Sequence, residues 1–152
     1  MIMKMKVNIL VVIKVILLLF VAYNIVWYFF SYKKYSKYEQ NFKEIADSGV
    51  KIHVDDEEYQ YSVKKPGYLM WDGNLAITDN NLENSVIIWL DSFGADITSG
   101  VMIMDENNEV MQIEMKDKTT ALDKRNQKIV DSYNDEISKL YDKARDIWKL
   151  EM

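Results

Sequence analysis

The chain has 152 residues, no cysteine and a net charge of −5. Absence of cysteine excludes disulfides, thiolate metal sites, thiol nucleophiles and iron–sulfur clusters, so the fold rests on packing alone. The charge is unevenly spread: seven lysines oppose Glu39 alone up to Lys43, whereas Glu44 to Met152 holds twelve basic and twenty-three acidic residues, giving +6 and −11. The acidic part lacks the dense Lys/Arg surface that neutralises phosphates, which argues against nucleic acid as a partner.

Val7 to Phe30 is a run of twenty-four residues interrupted only by Asn8, Lys14 and Asn24, against about twenty needed to cross hydrocarbon. Seventeen of these positions are Val, Ile, Leu or Phe. Together they favour insertion by roughly 5 to 10 kcal/mol, which outweighs about 3 for one central lysine. Lys14 can lift its ammonium toward the N-terminal side and so marks one membrane boundary. Trp27, Tyr28, Lys33 and Lys34 form the aromatic and basic belt expected at the other. Tyr28, Phe29, Phe30 and Tyr32 stand where a signal peptidase requires small residues, so residues 1–31 read as an uncleaved signal anchor with the lipid bilayer as partner of residues 7–30. The lysine flanks are nearly balanced, and by count alone the positive-inside rule favours a cytoplasmic domain. The short N-terminal tail argues for the opposite orientation, and an extracytoplasmic domain at the cell membrane is the expectation.

Tyr35, Tyr38, Phe42 and Ile45 recur at helical spacing before Asp47-Ser48-Gly49, which predicts a juxtamembrane helix over 32–48. A small acidic domain then occupies 49–152. Its first elements alternate with a period of two: Val50, Ile52 and Val54 oppose Lys51 and His53, and Tyr59, Tyr61 and Val63 repeat the pattern. Asp72-Gly73 predicts a tight hairpin between strands at Tyr68–Trp71 and Asn74–Thr78. Val86–Leu90 and Val101–Met104, apolar on both faces, predict interior strands, and Val110–Met115 alternates again. Val130, Tyr133, Ile137, Leu140, Ala144 and Ile147 follow a 3-4-3-4-3 spacing that predicts one amphipathic helix, capped at Thr119 or Thr120 and packed on the sheet. The fold class is α+β, with an N-terminal transmembrane helix, an antiparallel sheet of six to seven strands and a C-terminal helix. This layout is similar to that of type IV pilins, but Met1 to Tyr38 contains neither the glycine nor the acid of their leader motif, and no family is identified.

Catalytic signatures are missing. There is no glycine-rich phosphate loop and no Gly-x-Ser-x-Gly elbow, and the single histidine, His53, is expected on the polar strand face beside Lys51. Asp79–Glu83 and Asp105–Glu109 space oxygen ligands at alternate positions, but neither run has the glycine at its sixth place or the glutamate at its twelfth that a calcium loop needs. No metal or cofactor is expected. Asp91–Gly100 connects the two most apolar strands and is the candidate partner-contact loop, carried by Asp91, Phe93, Asp96 and Ile97. Phe93 is expected to fold inward as a core plug. These features predict a single-pass, membrane-anchored, non-enzymatic module that binds another protein, as a subunit, inhibitor or immunity-type factor. A small carboxylate-dependent hydrolase using Asp91 and Asp96, or a ligand-sensing domain, is the alternative.

Overall fold

The computed structural model describes residues 9–39, 42–44, 49–55, 58–91, 93, 96–104, 107 and 109–150. Helix α1 (Ile9–Trp27) is apolar on every side, and one π-helical turn (Tyr28–Tyr32) leads from it into the short α2 (Lys33–Ser36). The helix ends there, well short of residue 48, and Lys43–Glu44 is extended as strand β1. Tyr38 and Phe42 still pack against the core, but from a turn and a strand entry rather than from a continuous helix. Ile45, Asp47 and Ser48 of the expected stop lie outside the described residues.

Six further strands follow: β2 (Val50–Asp55), β3 (Tyr59–Lys64), β4 (Asn74–Asp79), β5 (Ser85–Leu90), β6 (Ile97–Met104) and β7 (Val110–Met115). They form one antiparallel meander in which each strand pairs with its neighbour in sequence. The turns explain the order. In the β4–β5 turn the buried Asp79 carboxylate accepts the amides of Asn81 and Leu82, and the buried Asn84 carbonyl side chain accepts Met104 N at 2.9 Å, tying that turn to β6.

Val63, Leu75, Ile77, Val86, Ile88 and Ile103 are fully buried on one face of the sheet. Helix α4 (Asn134–Trp148) covers this face over β4 and β5, contributing Ile137, Leu140, Tyr141, Ala144 and Trp148. The expected stripe is present, but the helix is broken. Tyr133, at φ −112°, separates α4 from the shorter α3 (Gln127–Ser132), and a single 3-10 turn (Lys124–Asn126) precedes α3. Asp123, not a threonine, caps that start by accepting Arg125 N. Thr119 is instead held in a turn by Asp117.

The register reverses one expected face. His53 stands opposite Tyr61 and Lys51 opposite Val63, and residues opposite each other in an antiparallel pair share a face. His53 and Lys51 therefore lie at the margin of the helix-covered face, where His53 stacks on Phe42 at 5.4 Å and Lys51 pairs with Glu39 at 3.5 Å. Val50, Ile52 and Val54 take the open face. The period of two is a local property, but which set turns inward is decided by the pairing partner.

Ile77→Ala, at a fully buried central position, is expected to cost about 2–5 kcal/mol, read from thermal melting of the full chain in micelles. Burial pushes the Tyr141 hydroxyl from its ordinary 10.0 up to about 12, partly offset by its hydrogen bond to Ser99. A pKa raised on folding contributes stability that is complete below the unfolded value and lost as pH rises through the folded one. Melting temperature should therefore fall as pH climbs through about 10 to 12, and Tyr141→Phe should lessen that fall.

Candidate functional site

The end of the sheet nearest the N-terminal helix is built from two loops, residues 65–73 between β3 and β4 and residues 91–96 between β5 and β6. Tyr68–Trp71 is not a strand, and Asp72-Gly73 does not form the expected hairpin. The reason is tertiary: this stretch leaves the sheet and docks on the helix. Trp27 Nε1 donates to the Met70 carbonyl at 2.6 Å, and Ser31 Oγ donates to the same oxygen at 3.2 Å. Tyr68 donates its hydroxyl to Asn24 Oδ1 at 2.7 Å, and Trp71 Nε1 donates to the Tyr23 hydroxyl at 3.0 Å. Leu69 takes φ 60° to turn the chain through this contact, a conformation that is strained for a branched side chain.

Trp27, Ser31 and Tyr35, spaced by four, are the buried residues of the helical segment. In a regular α-helix each such step advances about 40° beyond a full turn, so the face drifts around the axis. The π turn, in which Lys33 N donates to Tyr28 O, winds more widely and takes up that drift. Tyr35 then reaches the core at 1% exposure. It rests against Gly73, where an added Cβ would stand 2.8 Å from the Tyr35 ring and 2.6 Å from the Lys64 carbonyl. Glycine at 73 is thus required by close approach and not by a hairpin turn.

The predicted contact loop meets the same helix. Asp91 N donates to Asp96 O at 3.0 Å and closes the loop, while Lys34 Nζ donates to the Asp91 carbonyl oxygen. Phe93 does not plug the core. It is 66% exposed, with its ring 4.7 Å from Trp71 and 5.9 Å from Phe30. The carboxylates of Asp91 and Asp96 are exposed, and Ile97 packs at the edge of the core. Among the membrane-boundary residues, Trp27 turns inward to the domain, Tyr28 stays 45% exposed, Lys33 lies over the Phe29 ring at 5.0 Å, and Lys14 is exposed along α1. The role of residues 65–73 was missed by sequence reasoning. Their aromatic content beside the aromatic exit of the helix was the available signal.

Two clefts flank the sheet's first strands. One, of about 330 Å³, has Lys51, Lys64 and Lys65 around Glu39, with Lys65 Nζ 2.6 Å from its carboxylate and 4.4 Å above the Tyr32 ring. The other, of about 460 Å³, is lined by Tyr38, Phe42, His53, Trp148 and Lys149. The buried Trp148 Nε1 has no hydrogen-bond acceptor among the described residues. Among those residues, no group of three His, Asp or Glu side chains is placed to hold a metal ion.

Gly73→Ala should displace Tyr35 and loosen helix from sheet, lowering stability by about 1–3 kcal/mol and speeding proteolysis at the lysines between Lys33 and Lys43. Gly67→Ala, whose Cβ would meet the flexible Met70 side chain at ordinary contact distances, Sδ at 3.4 Å and Cγ at 3.8 Å, should leave both unchanged. Comparison of the chain with protein-family models, with curated proteins and with solved structures finds no match, so function must be read from this geometry.

Proposed function

We propose that the chain is a single-pass membrane-anchored module, without enzymatic activity, that holds a protein-binding sheet at the extracytoplasmic surface of the cell membrane. The anchor is supported by length and composition: Ile9–Ser36 has a mean hydropathy of 2.8 in its most apolar window, and none of that window is buried against the rest of the chain. Such a helix in water would leave its whole apolar surface hydrated, whereas a bilayer removes it at about 25 cal/mol per Å².

The observation that carries the protein-binding reading is the open face of the sheet. Val50, Ile52, Val54, Ile87, Trp89 and Met102 share it by register, and all are half-buried or exposed, Val54 at 44%. Helices α3 and α4 pack on the opposite face. Trp89 packs beside Gly100, where an added Cβ would meet the indole at 3.2 Å, so the glycine leaves room for the ring on this face. By the same register Gln60, Ser62, Lys64, Asn74, Thr78 and Ser85 also lie on this face, so its apolar side chains form two patches, one on β2 and one on β5 and β6, within the polar face an antiparallel sheet commonly turns to water; the protein-binding reading rests on those patches.

Protease added to intact cells should digest the domain, and crosslinking of the full-length chain in its native membrane should capture a specific neighbour. Val54→Lys, an exposed change costing at most about 0.5 kcal/mol, should abolish that crosslink without altering the melting temperature. Protection from protease would place the domain in the cytoplasm, and a crosslink unaffected by Val54→Lys would remove the open face as the binding surface.

A further inference from the structure

We infer that the domain does not stand clear of the membrane on its helix but inserts its own rim, Tyr68, Met70, Trp71 and Phe93, into the interfacial layer of the bilayer. This rests on the reading of the N-terminal helix as the membrane span and follows from where its apolar surface ends. The helix runs on from α1 to Ser36, and beyond Tyr23 and Asn24 it still presents Ile25, Phe29 and Phe30, 54%, 54% and 48% exposed. Covering these side chains requires the hydrocarbon to extend to about Phe30. Yet the rim grips α1 within its last turn and a half: Tyr68 is bonded to Asn24, and Trp71 to Tyr23. Tyr23 lies about 10 Å below Phe30 along the axis, so a rim held at that level is inside the edge of the hydrocarbon, at the depth of about 5–10 Å reached by interfacial segments.

The rim has the chemistry for that depth. Tyr68, Met70 and Phe93 are 63%, 59% and 66% exposed; Phe93 stacks on the exposed Phe30 of the helix, and Tyr68 meets the buried Trp27 edge-on at 5.4 Å. Irregular backbone enters a bilayer only where its polar groups are satisfied. Here the Met70 carbonyl takes two donors from the helix and Met70 N donates to Gly67 O at 2.9 Å. Asn24, a costly residue in a span, gives its amide to Phe20 O at 2.8 Å and receives the Tyr68 hydroxyl. Just above, Lys33, Lys34 and Lys65 stand at headgroup level. Lipid is therefore the occupant of this surface, continuous with the lipid around α1.

The natural chain has no cysteine, so single spin labels can be placed cleanly at Leu18→Cys, Met70→Cys, Phe93→Cys and Leu82→Cys in the full chain, reconstituted in phosphatidylcholine nanodiscs. Leu82 lies in the β4–β5 turn at the far end of the sheet. Power-saturation measurements should show Leu18, Met70 and Phe93 relaxed more by oxygen than by a water-soluble nickel chelate, with the preference reversed at Leu82. An oxygen preference at Leu18 alone, with Met70 and Phe93 behaving like Leu82, would overturn the insertion while leaving the anchor intact. A nickel preference at Leu18 would overturn the anchor and the insertion together.

Discussion

The Met70 carbonyl, shared by Trp27 Nε1 at 2.6 Å and Ser31 Oγ at 3.2 Å, fixes where the sheet stands relative to the helix. A carbonyl in an apolar setting that lost both donors would bear a desolvation cost of about 1–3 kcal/mol, so helix and loop are held in one register. Residues 65–73 are consequently unable to continue the sheet, β3 and β4 are joined by an excursion, and the strained Leu69 is tolerated. The same contact brings Tyr35 onto Gly73 and Phe93 beside Trp71. Helix, loops and core are thus a single packed body and not a domain on a tether.

The winding of the helix serves this contact. A regular helix would carry Tyr35 away from the face that holds Trp27 and Ser31, and the one π turn at Tyr28–Tyr32 restores it. A wider turn is less well packed than the α-helix it interrupts, so its presence here is offset by the burial of Trp27, Ser31 and Tyr35. Above this point the chain needs no further helix, because Tyr38 and Phe42 reach the core margin from turn and strand.

Much of the fold was legible because its signals are local. The apolar length of Val7–Phe30, the alternation in β3 and β7, the continuous apolar runs of β5 and β6, and the apolar stripe of α4 are each patterns that burial imposes on neighbouring residues. What escaped was set by partners distant in sequence. Asp72-Gly73 has the composition of a tight turn, yet the glycine is there to admit Tyr35. Lys51 and His53 look like a solvent face, yet pairing to Val63 and Tyr61 turns them toward Phe42 and Glu39. Tyr35 to Phe42 has helical spacing, yet the chain bends at Lys37 once Tyr35 is anchored. At the candidate site the loop expected over Asp91–Gly100 is shorter, because Ile97–Gly100 pairs with β5 as the start of β6; the direction of Phe93 depends on Phe30 and Trp71, and the open sheet face depends on which side α4 covers.

If helix and sheet are one body, the distance between a point in the span and a point at the far end of the sheet has a single value. Double electron–electron resonance between spin labels at Leu18→Cys and Leu82→Cys, in the full chain in nanodiscs, measures that distance directly. The packed junction predicts one narrow distribution. A broad distribution would show the domain swinging freely on its helix and would contradict the junction on which the rest of the structure depends.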